Sequence, residues 1–343
     1  MDIKSLYMDE LVETMKNMGQ PAFRAKQIYN WLHAKLVESY DEMLNLPKDL
    51  RNNLKEHYPL KTLEVVDKLV SQKDGTSKYL FSLNDDRVIE SVLMKYHHGN
   101  SVCISSQVGC RMGCTFCAST IGGKERDLTA SEMLDQIYRI SVMSKERVSN
   151  VVVMGTGEPL DNYDNLVRFI RILTDSQGLN ISARNITVST CGIPDKIYRL
   201  ADEGLPITLA LSLHAPNNEI RKKLMPIARQ YELSDVLEAF YYYYEKTGRR
   251  LTFEYSLVEG INDEEEHALE LGELLKGYNC HVNLIPVNPI KERNYRKSDG
   301  HKILKFKNIL EKYRINVTIR REMGSDINAA CGQLRKSYLD RGK

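Results

Sequence analysis

Ser101-Val102-Cys103-Ile104, followed six residues on by Cys110-Arg111-Met112-Gly113-Cys114-Thr115-Phe116-Cys117, decides how this chain is read. The first four residues have the β-branched, apolar character of a short strand. The eight that follow form a C-x3-C-x2-C loop, and three thiolates that close in sequence can converge on one metal centre. A structural zinc site normally adds a second Cys or His pair after a longer spacer, and none follows here at a suitable distance. An electron-transfer iron–sulfur cluster takes four cysteines. A loop with three leaves one iron of a [4Fe–4S] cluster open to a substrate, and zinc stands as the alternative.

Downstream of the loop, short apolar strands alternate with helical stretches. The strands are expected at 101–104, 151–154, 185–188, 208–213, 251–256, 282–285 and 317–319. Strand–helix alternation implies a parallel sheet flanked by helices. About six units are too few for a closed eight-stranded barrel, so the fold class is α/β, an open partial (β/α)6-type barrel. Thr129-Ala130-Ser131-Glu132 has capping-box spacing and predicts a helix running to about Lys145. Asp263 to Glu266 place negative charge at the start of another.

Upstream, alternating residues from about Thr62 to Tyr96 are broken at Asp74-Gly75 and Asn84-Asp85-Asp86, which predicts a three-stranded meander. Before it, Leu11, Met15 and Met18, then Ile28, Trp31 and Leu32, repeat at helical spacing. The chain thus divides into a helical part over 1–60, a linking meander over 61–97 and a catalytic domain over 98–343.

Composition narrows the function classes. The chain has 343 residues, 42% hydrophobic and 27% charged, with Lys+Arg 48 against Asp+Glu 46. That balance excludes a disordered or generically polycationic protein but allows a local basic face. No apolar run reaches the ~18 residues of a membrane span and no signal sequence opens the chain, so a cytoplasmic protein is expected. Four of the seven cysteines crowd into 103–117, a pattern of chemistry rather than of disulfide staples.

The loop, with Phe116 before its last cysteine, resembles the signature of radical S-adenosylmethionine enzymes. Further segments sharpen the resemblance: Val153-Met154-Gly155-Thr156-Gly157-Glu158-Pro159-Leu160, Val188-Ser189-Thr190, Leu211-Ser212-Leu213-His214, Val282 to Pro289, and Gly324 to Leu334 with Ala330-Cys331-Gly332-Gln333. Together they are similar to the adenosine-C2 RNA methyltransferase family, RlmN, whose members act on 23S ribosomal RNA and on transfer RNA. The resemblance covers roughly residues 87–335 and implies a role for each matching residue. Cys110, Cys114 and Cys117 hold a [4Fe–4S] cluster. Gly157, Glu158, Ser189, Ser212, Leu213, His214 and Asn288 contact S-adenosylmethionine. Cys331 receives and then delivers the methyl group, Glu90 removes the ring proton, and Cys103 resolves the protein–RNA adduct by forming a transient disulfide with Cys331. Two S-adenosylmethionine molecules are consumed per turnover, an electron donor such as flavodoxin or ferredoxin is needed, and the expected unit is a monomer.

The chemistry explains why such groups are required. Carbon 2 of adenine lies between two ring nitrogens and is too electron-poor to attack a sulfonium methyl, whereas a carbon radical adds to it readily. A cofactor has to supply that radical. Arg221-Lys222-Lys223 and the basic run from Lys291 to Lys297, with Tyr295 for stacking, are candidate RNA contacts. Phe240 to Tyr244 reads instead as a helix burying one side. Cys191 and Cys280 read as core thiols. The remaining alternatives are a sibling family that methylates adenosine at carbon 8, and a non-catalytic zinc-stabilised RNA-binding protein.

Overall fold

The computed structural model describes residues 2–97, 99–288 and 293–327. Three helices come first, α1 (Met8–Asn17), α2 (Phe23–His33) and α3 (Lys48–His57). Leu11, Met15, Ile28 and Leu32 are buried, as their spacing requires. The meander follows as β1 (Glu64–Val70), β2 (Ser77–Ser82) and β3 (Val88–Tyr96), all antiparallel. Its turns fall where the sequence breaks, with Gly75 and Asp86 both left-handed.

β3 then pairs antiparallel with β4 (Gly99–Ile104), which makes the meander one wing of the main sheet. A two-stranded ribbon, β5 (Gln107–Gly109) and β6 (Lys124–Asp127), brackets the cysteine loop. Beyond it, α4 (Ala130–Ser144), β7 (Val148–Val153), α5 (Tyr163–Thr174), β8 (Ile186–Thr190), α6 (Pro194–Asp202) and β9 (Thr208–Ser212) alternate. The series continues through α7 (Asn218–Leu224), α8 (Leu233–Thr247), β10 (Leu251–Leu257), α9 (Glu265–Leu275), β11 (Cys280–Pro286), α10 (Gly300–Lys312) and β12 (Asn316–Ile319).

Ten strands form one sheet in the order β1-β2-β3-β4-β7-β8-β9-β10-β11-β12. From β4 onward every pairing is parallel, and β1 and β12 remain as separate edges, so the barrel is open. Each downstream segment expected to be a strand is one. The capping box is present, with Thr129 accepting from the Glu132 N–H, and α4 ends at left-handed Lys145. In α8, Phe240 and Tyr243 are buried while Tyr241 is exposed, the one-sided helix the pattern implied. No helix among the described residues is long and apolar enough to cross a membrane.

Period-two alternation gives the sheet two unlike faces. On β8 and β11, Ile186, Val188, Val282 and Leu284 pack into the apolar core, while Ser189, Asn283 and Ile285 alternate with them. The N-terminal helices share that core. Lys4 Nζ lies 2.6 Å from Asp135 of α4 with both side chains buried, the Ser131 N–H donates to Ser5 Oγ at 3.0 Å, and Arg168 of α5 pairs with Glu10.

Two predictions follow from these buried contacts. Lys4→Met leaves Asp135 buried and unpaired and should cost about 3 kcal/mol of unfolding free energy, most of it recovered by adding Asp135→Leu; urea unfolding of the single and double variants checks this. Burial holds the His33 imidazole, whose Nδ1 lies 2.8 Å from the Tyr138 hydroxyl, down at about 3. Its contribution is therefore fully present above the unfolded value of 6.5 and is lost as pH falls from there toward about 3. Stability should decline with a slope of up to about 1.4 kcal/mol per pH unit for this group, and His33→Gln should remove that share in pH-dependent denaturation curves.

Candidate active site

A cavity of about 200 Å³ opens over the carboxyl ends of the parallel strands. Its walls bring together Cys110, Cys114 and Cys117 from the loop, Gly157 and Glu158 after β7, Ser189 of β8, and Ser212 and His214 at the end of β9. A larger hollow of about 530 Å³, between Tyr58 and the start of α4, contains no cysteine and none of these groups. Strand ends at the carboxyl edge of a parallel sheet are where α/β proteins bind ligands.

The loop is fixed by its backbone. The Cys110 N–H donates to Gly123 O at 3.0 Å, the Thr115 N–H to Leu224 O of α7 at 2.9 Å, and Thr120 Oγ1 to Cys117 O at 2.9 Å. Gly113 is left-handed, and a Cβ there would press on Pro226 at 3.3 Å. Tyr295 donates its hydroxyl to Thr115 Oγ1 at 2.7 Å. Burial pushes the Cys110 thiol up to about 12 and raises Cys114 and Cys191 strongly too, so without a metal these are neutral thiols.

Glu158 is a buried carboxylate held by backbone. Its two oxygens accept from the Leu160 N–H at 3.0 Å and the Cys191 N–H at 2.8 Å, while burial raises its pKa against those hydrogen bonds. The glycines before it are steric requirements. A Cβ on Gly155 would lie 2.7 Å from Ile104 O, and one on Gly157, at φ +112°, would lie 2.6 Å from the Gln107 Cβ. Ser189 and Ser212 hydroxyls are 3.1 Å apart. His214 Nδ1 accepts from the Ser256 N–H at 2.9 Å, so the proton sits on Nε2, and burial lowers its pKa to about 3. Phe116 meets its ring edge-on at 4.9 Å.

Other expected residues fall elsewhere. Leu213 points into the apolar core and its N–H donates to Glu254 O. Asn288 is exposed and does not line the cavity. Cys103 and Glu90 lie beside the cavity rather than in it. In the β3–β4 register Cys103 faces Val92, and Glu90, Val92 and Met94 share one strand face by alternation. Cys103 clusters with Val92 and Met94, and Met154, which lines the cavity, packs on that cluster. Glu90 forms a buried ion pair with Lys78 at 3.1 Å. Cys331 lies outside the described residues.

One reading needs correction. Arg221 was expected to touch RNA but is fully buried, and Lys222 and Lys223 pair with Glu232 and Glu219. Cys191 is buried in the core as expected and in addition lines the cavity, with its thiol against Glu158. Arg320, one of a local basic pair with Arg321, also lines it, as does Glu254, which the sequence reading passes over. The signal for Glu254 was available, since a carboxylate inside the apolar strand Leu251–Leu257 is costly unless partnered, and Asn283 Nδ2 donates to it at 2.9 Å.

The donor set fits an inorganic cluster held at three points: three loop thiols face one cavity, and the fourth thiol there is engaged by Glu158. The glycine cradle after β7 leaves backbone bare beside a carboxylate, as a small zwitterionic ligand would need. Comparison with known proteins agrees. Residues 104–272 match the radical SAM superfamily, and residues 1–60 match the ribosomal RNA large subunit methyltransferase N-terminal domain. A crystallised radical SAM methyltransferase from Sphaerobacter thermophilus superposes with a TM-score of 0.93 at 43% identity, covering 97% of this chain and 98% of that one. Fold and site thus define a radical SAM methyltransferase.

Relatives give the particular family. The probable dual-specificity RNA methyltransferase RlmN of Lachnoclostridium phytofermentans is 66% identical over 340 residues, 99% of this chain and 96% of its own. The one from Clostridium novyi is 53% identical over 98% of both. The chain belongs to the RlmN family of dual-specificity radical SAM RNA methyltransferases, a membership that implies a [4Fe–4S] cluster and S-adenosylmethionine and sets aside a purely structural zinc protein. Gly157→Ala, which puts a methyl group where Gln107 already stands, should weaken S-adenosylmethionine binding at least about tenfold, equivalent to 1.4 kcal/mol, in equilibrium dialysis of the reconstituted protein.

Proposed function

We propose that this protein methylates carbon 2 of adenosine in 23S ribosomal RNA and in transfer RNA, with Cys331 as methyl carrier. The observation that carries the reading is the shared cavity of Cys110, Cys114, Cys117 and Glu158, with Cys103 and Glu90 on the adjoining strands β4 and β3. Cys110, Cys114 and Cys117 would hold the cluster. Gly157, Glu158, Ser189, Ser212 and His214 would hold S-adenosylmethionine, with the Glu158 carboxylate taking the ligand's ammonium group. Leu213 contributes through its backbone, and Asn288 joins from the exposed end of β11. When bound, cluster and cosubstrate supply a carbon radical.

The chain's own residues do the rest. Cys331 bears the methyl group as a thioether. Glu90, paired with Lys78 across the strands, takes the proton from carbon 2. The Cys103 thiolate attacks the Cys331 sulfur, so that a disulfide forms as the sulfur–carbon bond breaks; the bonding pair passes to the electron-poor ring and the released carbon takes up a proton to become the methyl group. The last described residues support this pairing, because Met323 packs on the Val92–Met94–Cys103 cluster a few residues before Cys331. Gly324, Ser325 and Asp326 are tied to the β1–β2 turn, with Asp326 accepting from Ser71 Oγ at 2.7 Å and the Gly324 N–H donating to Asp74 at 2.9 Å. A turnover consumes two S-adenosylmethionine molecules and needs a reductant such as flavodoxin or ferredoxin. The protein acts as a cytoplasmic monomer, with residues 1–60 gripping the RNA and the target base leaving its stack.

Anaerobically reconstituted enzyme with unmodified RNA should yield 2-methyladenosine by nucleoside mass spectrometry, and Cys331→Ala none. Methyl found at carbon 8 alone would overturn the regiochemistry. Cys103→Ala should keep its iron yet accumulate a protein–RNA crosslink through Cys331; loss of iron in that variant would instead make Cys103 a cluster ligand.

A further inference from the structure

Three Lys or Arg side chains are buried among the described residues: Lys4, Lys78 and Arg221. The first two face carboxylates, Asp135 and Glu90. Arg221 does not. Its Nη2 donates to Cys191 O at 2.6 Å, and its Nε and Nη1 find no acceptor among the described residues. The thiols of Cys191 and Cys114 and the neutral imidazole of His214 lie within its electrostatic reach, and none of them is a carboxylate. A guanidinium is always charged, and burying one without a counter-charge is strongly unfavourable.

Its position is specific. Arg221 is on α7, one turn before Leu224, whose carbonyl anchors the Thr115 N–H in the middle of the cysteine loop. Ile220 and Leu224 pack in the same apolar cluster as Cys110 and Met112, with Cys114 and Phe116 against it. The guanidinium is therefore sealed into the wall beside the thiols, away from solvent.

We propose that Arg221 is the built-in counter-charge of the iron–sulfur site, its free N–H groups directed at the thiolate-bound cluster, and that it raises the cluster's reduction potential. The proposal rests on the cluster reading above. Three thiolates around a [4Fe–4S]2+ core carry a net charge of −1, which becomes −2 on reduction, so a fixed buried cation favours the reduced form. Net charge and hydrogen bonds to sulfur are the levers by which proteins set such potentials. Arg221 is thus a positioning and tuning residue.

The test uses full-length protein, reconstituted anaerobically, in wild-type, Arg221→Met and Arg221→Lys forms. An EPR-monitored potentiometric titration reads the cluster without turnover. At the potential where half of the wild-type clusters are reduced, at most about a tenth of those in Arg221→Met should be, which for one electron is a shift of about 60 mV; Arg221→Lys should fall between. The metal-free Arg221→Met protein should unfold no earlier than wild type, because it loses an unpaired buried charge. Equal potentials in wild type and Arg221→Met would overturn the assignment, as would earlier unfolding of the metal-free variant with an unchanged potential, which would mark Arg221 as a tether for Cys191. If Arg221→Met does not fold, Arg221→Gln gives the same comparison. Wild-type protein that takes up no iron would defeat the cluster reading itself, an outcome separate from a wild-type cluster whose potential ignores residue 221.

Discussion

A parallel sheet has to be covered on both faces, and in this protein the two covers are different in kind. Helices and apolar side chains close the outer face, where Ile186, Val188, Val282 and Leu284 point. The inner face cannot be closed the same way because the alternate positions carry Ser189, Ser212, Glu254 and Asn283, joined in part by hydrogen bonds. Those groups need polar partners or a ligand, and the cysteine loop comes down over them from the β5–β6 ribbon. The cavity follows from that single division of the strands.

Burial of these side chains then sets the electrostatics. Burial drives these groups at the cavity toward their neutral forms: the thiols of Cys110, Cys114 and Cys191 upward, the Glu158 and Glu254 carboxyls upward, the His214 imidazole downward. Arg221 is the group that cannot follow, since a guanidinium keeps its charge. Neutral loop thiols beside a stranded cation are one half of a charge-balanced assembly. Cysteine deprotonation on metal binding supplies the other half.

Much of this was legible in the residues, for identifiable reasons. Strand positions follow from short apolar runs bounded by turn residues, and α4 from the Thr129–Glu132 box, because both signals are local. The loop Cys110–Cys117 and the Gly157-Glu158 turn announce themselves because few other chemistries need those residue types at that spacing. What the sequence hid is what depends on packing direction. Arg221 sits in a basic run beside Lys222 and Lys223, yet on a helix consecutive side chains diverge, so one goes inward while its neighbours face water. Cys191 resembles any small buried residue until the Glu158 carboxylate is seen beside it. Leu213 and Asn288 stand in the right segment, but neither side chain enters the cavity.

The joint between the N-terminal helices and the barrel bears on how a folded RNA is met. Lys4 and Asp135, Ser5 and Ser131, and Glu10 and Arg168 bolt the two parts together through a shared interior. Swinging those helices outward would strand an ion pair and bare the oily seam beneath it. The helices and the barrel consequently behave as one unit held by a common interior, not as two parts free to swing.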